Sequence, residues 1–526
     1  MSPAARSSSD PAERSAAEPP ERSAADPAGP LAAVPPSPAA LALAAGAAAR
    51  YGDAAIALLA DLVAFRTVAA PPMANVDLPE FHRLKAYLAR RAGDLDLDYA
   101  DHGAAVVIGL GAAPDRLGLL THADVQPADP VRWGGDPFRL DTVTEPGRLI
   151  GRGVEDDKAS IATALFAMRA LADRGPVRGR RVELIVSMTE ESDWTPFREF
   201  LRTWRPPPLN VALDGEYPVV TAEKGTGSIR LTLSPEPDRE EGGGREPRIA
   251  SIRGGAFRTQ IPGEAEALIE RAGPDLAPRL RAAIDPAWDV TFDFEADGAR
   301  GRGGPGGGRL LVRAHGLAAH SSMPREGRNA ITHLAALLGT HAWPPTPGGL
   351  MVALINDLVG TGDHAERFGD LAHAHDFMGP LTLALTTLDA GPDGALTAGL
   401  NVRRPVGRSR TDVEAAIRAA LDGWRERTGA RLDAAVQIGE PYYVESAPHV
   451  PILLGVFRHF TGDPDAGPIA VGGGTQARLL PNGVNFGPSM PGAVYTGHSD
   501  HEFMTVDQLR LNLTMCTAAL AELACP

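Results

Sequence analysis

The strongest constraint on the fold is a series of apolar, strand-like segments, three of which run directly into histidine or acidic residues. AAVVIGL, LGLLTHA, VELIVSM and NVALDG have the composition of buried strands, and helical segments such as KASIATALFAMRALADRG lie between them. Strands that alternate with helices form a mostly parallel sheet covered on both faces. The sequence therefore predicts an α/β fold, whose ligands bind at the carboxyl ends of the strands.

A set of metal-binding side chains lies at the ends of these elements. The set consists of His122, Asp124, Asp156, Glu190, Glu191, Asp214 and His498. Two histidines with three carboxylates suit a pair of zinc-like divalent ions. Three carboxylates and a bridging hydroxide would also balance the charge of two such ions, which a partly buried site favours. The set predicts metal-assisted hydrolysis.

The spacing within each segment suggests a division of roles. His122 and Asp124 are two residues apart in a strand-like run, so both side chains point to one face, and a carboxylate there can hold the imidazole in its ligating tautomer. Glu190 and Glu191 are adjacent and project differently, so that one can bind metal while the other holds the attacking water.

Each segment also has a simpler explanation when it is taken alone. A single HxD or EE pair occurs by chance in many chains, and a histidine near a strand end is often structural. The acidic pair before Lys158 could cap the helix that follows. The metal hypothesis depends on all five segments occurring in order, each at an element boundary.

Longer motifs surround these residues, and they are listed here in chain order: THADVQPADPVRWGGDPF, GRGVEDDK, the EE pair, DGEYPVVTAEKG, GGGTQARLLPNGVNFG and the H-x-x-x-E that starts at His498. With these motifs, over about residues 50–526, the chain resembles the metallopeptidase family of aminoacylase, carboxypeptidase G and carnosinase, and within it the dipeptidase V type. The resemblance implies a di-metal exopeptidase domain with an inserted α+β lid. It also implies a dipeptidase that uses a water bridging two divalent ions, most commonly Zn²⁺, with Mn²⁺ or Co²⁺ as alternatives. An N-acyl amino-acid deacylase, a carboxypeptidase and a non-catalytic binding homologue are the other hypotheses.

The resemblance implies three groups of site residues. The metal ligands are His122, Asp156, Glu191, Asp214 and His498, with Asp156 bridging the two ions. The catalytic residues are Glu190 as general base, Asp124, which orients His122, and the lid histidine His320 in HGLAAHSSMPREGRNA. The substrate-binding residues are Arg403 in NVRRP, which binds a substrate carboxylate, and Thr475 and Arg478 in GGGTQAR.

A few positions depart from the family pattern or compete with it. Gln476 and Arg404 stand where the family usually has aromatic residues, which leaves substrate preference open. His501 is a rival to His498, although the register of the motif favours His498. His315 is predicted to be structural.

The sequence divides into a tail and two domains. Residues 1–38 are rich in Ala, Pro, Ser and Glu, carry no secretory signal and are predicted to be disordered. Residues 39–228 and 441–526 are predicted to form the catalytic domain and residues 229–440 the lid. A lid of this length resembles the doubled lid of the dipeptidase relatives, which implies a monomer.

Composition agrees with a cytoplasmic enzyme, and the resemblance implies a small peptide as its partner. The net charge of −15, from 66 acidic and 51 basic residues, disfavours nucleic acid and anionic membranes. Two cysteines cannot form a disulfide framework. The Ala-rich stretch that ends at Arg50 is predicted to be too short to span a membrane.

Overall fold

The first helix of the described residues begins directly after Ser37, which caps it. The computed structural model describes residues 32–235, 246–297 and 308–525, and residues 33–526 form one compact unit. Ser37 Oγ accepts a hydrogen bond from the backbone N–H of Ala40 (3.2 Å). Pro38 at the first helical position loses nothing by lacking an N–H, because that group has no partner within a helix.

The helices of the described ranges cover both faces of the larger sheet and pack on the smaller one. In chain order they are α1 Pro38–Val63, α2 Pro79–Asp94, α3 Pro130–Trp133, α4 Ala159–Ala172, α5 Thr195–Thr203, α6 Leu276–Ala282, α7 Ala330–Leu338, α8 Pro347–Leu354, α9 Arg410–Thr428, α10 Val450–Thr461 and α11 Val506–Ala524.

The strands divide between two large sheets and a few short pairs. In chain order they are β1 Asp98–Asp101, β2 Ala105–Leu110, β3 Arg116–His122, β4 Arg148–Ile150, β5 Arg181–Ser187, β6 Leu209–Ala212, β7 Gly215–Glu216, β8 Val219–Glu223, β9 Gly225–Leu233, β10 Arg248–Gly254, β11 Gln260–Ile261, β12 Glu264–Ala272, β13 Thr291–Asp297, β14 Gly308–His315, β15 Ala319–His320, β16 Ala374–His375, β17 Gly379–Pro380, β18 Thr382–Ala390, β19 Leu396–Arg404, β20 Leu432–Ile438, β21 Tyr442–Tyr443, β22 Pro468–Val471, β23 Gly483–Asn485, β24 Pro488–Ser489 and β25 Phe503–Thr505.

The larger sheet has the order β1-β2-β5-β3-β6-β23-β8-β21, with β22 paired to β8. Its centre, β5-β3-β6-β23, is parallel. Its flanks are not, because β1, β2 and β5 pair antiparallel, as do β23, β8 and β21. The predicted α/β class is confirmed, and the sheet is mixed, with a parallel centre and antiparallel strands at its flanks. The short turn between β1 and β2 allows only a hairpin, which is antiparallel.

The second sheet is wholly antiparallel, with the order β13-β14-β12-β10-β18-β19-β9-β20. It packs against α7, α8 and α9, and the buried indole of Trp424 on α9 donates to Asp357 (3.0 Å). Helix α9 begins after the cap Ser409 and ends at Gly429, whose φ of 64° lies in the left-handed region that glycine adopts readily. The inserted α+β lid is therefore present; its exact boundaries, 229–440, stay a prediction.

Helix α1 corrects two expectations about the N-terminal region. It continues past Arg50 to Val63, so it is long and apolar enough to cross a membrane by length and composition, and the length argument made above was wrong. Its C-terminal half nevertheless buries Leu58 and Leu62 in the protein core. The predicted tail also ends earlier than residue 38, because the N–H of Val34 donates to Pro451 O (2.9 Å). Residues 1–31 lie outside the described part of the chain.

Candidate metal centre and active site

Three neighbouring parallel strands bring the predicted ligands to one edge of the larger sheet. His122 is the last residue of β3, the two glutamates follow β5, and Asp214 follows β6. Because the carboxyl ends of parallel strands coincide, residues more than ninety positions apart become neighbours there.

The first ligand cluster forms around His122, which is buried. Its Nε2 lies 2.7 Å from Asp156 Oδ1 and 3.5 Å from Asp214 Oδ1. Burial alone would lower the pKa of His122, but the carboxylates around it raise that pKa well above its usual value. Burial raises the pKa of Asp214 to about 6. The cluster therefore has a strong negative potential.

The second cluster forms around His498, and it shares Asp156 with the first. His498 Nε2 lies 2.8 Å from Glu191 Oε1 and 3.1 Å from Asp156 Oδ2. Desolvation alone would lower the pKa of His498, but hydrogen bonds with these two carboxylates raise that pKa to about 11. Asp156 thus contacts one histidine with each of its carboxylate oxygens, which is the geometry that a bridging ligand requires.

The donor set fits a pair of divalent ions. Ligand atoms of His122, Asp157 and Asp214 lie within 4.8 Å of one another, as do those of Asp156, Glu191 and His498. The negative potential of the carboxylates holds a proton on each imidazole, and the same potential would attract a cation. Metal coordination would replace those protons. Asp157, a buried carboxylate whose Oδ1 has no hydrogen-bond partner in the described structure, was not among the predicted ligands.

The alternative role of the acidic pair as a helix cap was wrong. The residue that precedes α4 is Lys158, which makes no side-chain capping bond. Asp157 Oδ2 instead accepts from the backbone N–H of His122 (3.3 Å).

Asp124 supports the site differently from the prediction. His122 Nδ1 lies 2.9 Å from the backbone carbonyl oxygen of Asp124 and 3.6 Å from the side-chain oxygen Oδ1 of the same residue. The Asp124 carboxylate instead accepts from the backbone N–H groups of Glu190 (2.9 Å) and Glu191 (3.0 Å). Asp124 therefore orients His122 mainly through its main chain and fixes the two glutamates with its side chain.

Comparison with known proteins identifies this arrangement. The model of the family "Peptidase family M20/M25/M40" matches residues 118–522. This chain belongs to that family. The M20 family implies divalent metal ions, and the predicted hydrolase and metallopeptidase class is confirmed.

Individual relatives agree with that assignment. The M20 chain is 29% identical over 441 residues to the "Beta-Ala-Xaa dipeptidase" of Lactobacillus delbrueckii subsp. lactis, which covers 83% of this chain and 87% of the relative. Human carnosine dipeptidase 1 shares the fold with a TM-score of 0.55, 14% identity and coverage of 93% of this chain and 100% of that one. A tripeptidase of Staphylococcus aureus subsp. aureus Mu50 gives a TM-score of 0.53 with 11% identity, covering 90% of this chain and 98% of that one.

His320 lies on the short lid strand β15, close enough to His498 of the second cluster for their charges to interact. Desolvation of the ring, together with the positive charges of Arg403 and His498, lowers the pKa of His320 to about 4. The backbone N–H of Ser322 donates to His320 Nδ1 (3.3 Å), and Ser322 Oγ lies 2.6 Å from the same atom. Nδ1 is therefore an acceptor, and Nε2 carries the proton of the neutral ring.

Arg403 is buried where the lid meets the glycine-rich loop at 472–474. Its Nη1 donates to Thr226 Oγ1 (2.7 Å) and to Gly472 O (3.0 Å), and its Nε donates to Asn401 Oδ1 (2.9 Å). Burial, and then the nearby Arg478, lowers the pKa of Arg403 to about 10. Nη2 has no hydrogen-bond partner among the described residues, so the guanidinium is rigid and has donors to offer.

Thr475 and Arg478, predicted to bind substrate, are engaged by the buried carboxylate of Glu223. Thr475 Oγ1 donates to Glu223 Oε1 (2.8 Å), and Arg478 Nε lies 3.4 Å from Glu223 Oε2. The structure therefore places both side chains in the support of the glycine-rich loop. Glu223 lies in the EKG of a motif quoted above, but its role could not be inferred before its partner was known.

The two departures from the family pattern are both buried. Gln476 is fully buried and donates to Thr189 O (3.1 Å), directly before Glu190. Arg404 is buried, with Nε donating to Gly439 O (2.9 Å) and Nη2 paired with Glu440. Each side chain is thus held by contacts within the protein.

His501 and His315 form ion pairs with residues outside the ligand clusters. His501 pairs with Glu145 (2.8 Å) and contacts neither ligand cluster, so the choice of His498 is the one that the geometry supports. His315 pairs with Glu264 (2.7 Å) and Asp293 (3.0 Å) on the lid sheet, where it links three strands.

Sequence reasoning missed several buried or polar groups around the ligands. Gln126 donates to Glu191 Oε2 (2.9 Å), and Tyr495 donates to Asp156 Oδ2. Glu502, whose pKa burial raises to about 7, accepts from the backbone N–H groups of Gly153 (2.9 Å) and Asp156 (3.1 Å). Gln126 and Glu502 both lie in motifs quoted above, Glu502 as the last residue of H-x-x-x-E, but their partners could not be inferred from the sequence.

Proposed function

We propose that this M20 peptidase is a dipeptidase that hydrolyses the peptide bond of small dipeptides with free ends. One observation carries the proposal: His320 of the lid is close enough to Arg403 and to His498 of the second cluster for their charges to act on it, and all these groups belong to one chain. A metal centre, an oxyanion donor and a carboxylate clamp are the parts that such a substrate needs. The name of the Lactobacillus relative supports the same substrate class.

Two divalent ions would be held by the residues of the two clusters. His122 and Asp214 would hold one ion, Glu191 and His498 the other, and Asp156 both. Zn²⁺ suits these nitrogen and carboxylate donors best, with Mn²⁺ and Co²⁺ as alternatives. When bound, such ions lower the pKa of a water molecule and polarise a carbonyl group.

Glu190 is the general base of the proposed reaction. Burial and the negative charge of Asp214 raise the pKa of Glu190 well above its ordinary value. A raised pKa lets the carboxylate accept a proton from the attacking water and then deliver it to the leaving amine. Asp124 fixes the backbone on which Glu190 projects.

His320 stabilises the charge that develops on the carbonyl oxygen. Because its Nδ1 is an acceptor, its Nε2–H is free to donate to that oxygen. Its pKa of about 4 keeps the ring neutral near pH 7, so it acts as a hydrogen-bond donor without carrying a charge into the site.

Arg403 binds the C-terminal carboxylate of the substrate. The protein already uses Nε and Nη1 to hold the guanidinium in place. A planar, pre-positioned guanidinium is suited to a carboxylate, and burial strengthens the interaction.

The enzyme acts as a cytoplasmic monomer on a peptide substrate, without nucleic acid or membrane. His320 and both ligand clusters belong to one chain, so no second copy is needed to complete the site. Light scattering coupled to gel filtration tests this proposal, and a stable dimer of about twice the chain mass would contradict it.

A substrate panel tests the dipeptidase proposal. Dipeptides with a free carboxyl terminus should be cleaved faster than their amidated forms, and faster than N-acetyl amino acids. Arg403→Ala should raise KM for the free dipeptides and remove the preference over the amides. Arg410→Ala, at a more exposed arginine of the lid, is the matched control and should behave as the wild type.

Three outcomes would replace the proposal. Equal cleavage of free and amidated dipeptides by the wild type would leave only a broader hydrolase. Preference for N-acetyl amino acids would make the protein a deacylase, and failure to cleave any of the compounds would favour a binding homologue.

A further inference from the structure

The buried carboxylate of Glu155 has no part in the site described so far, although it directly precedes Asp156. It turns away from the ligand clusters toward the segment that precedes His498. Glu155 Oε2 accepts from Thr496 N (2.6 Å), Thr496 Oγ1 (2.7 Å) and Gly497 N (3.0 Å). Ser489 Oγ donates to its other oxygen (3.1 Å). Four donors on one buried carboxylate make a strong attachment.

The attachment matters because no helix or strand holds His498. His498 lies between β24 and β25 in a stretch without regular secondary structure, and its side chain is 46% exposed. Its φ of 63° lies in the left-handed region, which a residue other than glycine adopts at a cost. The two residues before it, Thr496 and Gly497, are the ones that Glu155 holds.

A second glutamate makes the reverse attachment. Glu502, on the His498 side, accepts from the backbone N–H groups of Gly153 and Glu155 (2.9 and 2.8 Å) and of Asp156 (3.1 Å). Each of the two segments thus contributes a buried carboxylate that binds main-chain donors of the other. This reciprocal arrangement fixes the position of His498 relative to Asp156.

We propose that Glu155 is the positioning residue of the second metal-binding cluster. It holds the main chain at Thr496 and Gly497 so that the His498 ring meets Asp156 and Glu191. Its loss releases that ring while His122, Asp156 and Asp214 stay in place. The inference rests on the metal centre of the proposed function and adds to it a residue that binds neither metal nor substrate.

The test is a titration of metal-free protein with divalent ions. Calorimetry measures the binding of Zn²⁺, and the absorption spectrum measures the binding of Co²⁺. Glu155→Ala should weaken binding of one of the two equivalents by roughly tenfold or more, the range for residues that support ligands, and leave the other unchanged. Glu155→Gln should restore binding, because its carbonyl oxygen can still accept from Thr496 and Gly497 while its amide faces the Ser489 hydroxyl.

Glu183→Ala is the matched control. Glu183 is also a buried glutamate, but it pairs with Arg116 (2.9 Å) near the opposite end of β5. The Glu183→Ala substitution should lower the stability of the protein without changing the affinity for either metal ion. If Glu155→Ala does not fold, Thr496→Val decides the question, because it removes one of the four donors and should weaken the same equivalent.

The possible failures are distinguishable. If the wild type binds two ions and the Glu155 and Thr496 variants bind both with unchanged affinity, the positioning role is wrong and the metal centre stands. If Glu155→Gln is as weak as Glu155→Ala, the carbonyl-acceptor argument is wrong and so is the proposal. If the wild type binds no pair of divalent ions, the proposed function fails as well.

Discussion

At the scale of single residues, the proposed mechanism assigns proton transfer to one glutamate and metal binding to other residues. Glu190→Ala should lower kcat by roughly 10²–10⁴-fold, the usual contribution of a general base, with metal content unchanged. Steady-state kinetics and elemental analysis of the same sample measure both quantities. Glu191→Ala, one residue away, is the control and should lose metal. Near-normal turnover in both variants would show that the roles are assigned wrongly.

Steady-state kinetics and elemental analysis also test the proposed role of His320 on the lid. His320→Ala should lower kcat by roughly 10²–10³-fold, as the loss of one oxyanion donor does, while both metal equivalents stay bound. Ser322→Ala should have a smaller effect, because the backbone N–H of Ser322 still donates to Nδ1. A kcat that is unchanged in His320→Ala would place the oxyanion donor elsewhere.

At the scale of secondary structure elements, the start of α1 tests where the folded chain begins. Ser37→Ala should lower stability by about 1 kcal/mol, because it removes the cap of a long helix. Thermal unfolding measures the change. Ser409→Ala, which removes the equivalent cap of α9, is the matched comparison. If Ser37→Ala has no effect while Ser409→Ala does, the N-terminal turn of α1 does not contribute to folding.

The lid sheet contains a link between strands that depends on pH. Hydrogen bonding to Glu264, and then to Asp293, raises the pKa of His315 above its ordinary value of 6.5. The stabilisation is therefore fully present below pH 6.5 and is lost as the pH rises through the folded-state pKa. Because the partners are exposed, its size is on the order of 0.5 kcal/mol.

Unfolding by urea at several pH values checks this sign. His315→Gln should be less stable than the wild type at pH 6, and the difference should vanish at pH 9. A difference that grows with pH would contradict the argument.

Elements with a strong local pattern could be predicted from the sequence, and partners far apart in the chain could not. Apolar runs located β3, β5 and β6, and the order of the strands then placed His122, Glu191 and Asp214 at one edge. Glu155 gave no such signal, because its partners Ser489 and Thr496 lie 334 and 341 residues away. The antiparallel flanks of the sheet could not be predicted for a related reason, since pairing direction depends on connections and not on strand composition.

At the scale of the whole molecule, the two sheets supply different parts of one site. The larger sheet places the proposed ligands at the ends of β3, β5 and β6, while the lid contributes Arg403 from its large sheet and His320 from the short pair β11-β15. The glycine-rich loop joins them, because Gly472 O accepts from Arg403 while Thr475 is held by Glu223. Catalysis would therefore need the lid closed over the ligands, which excludes water and delivers the oxyanion donor.

The measurement that tests the central claim most directly is a metal titration of chelated protein with dipeptide hydrolysis as the readout. The proposed di-metal mechanism predicts no activity without metal and recovery with Zn²⁺, Mn²⁺ or Co²⁺ that reaches its plateau at two equivalents. Elemental analysis of each sample gives the bound metal independently. Full hydrolysis by protein that contains no metal would contradict the account.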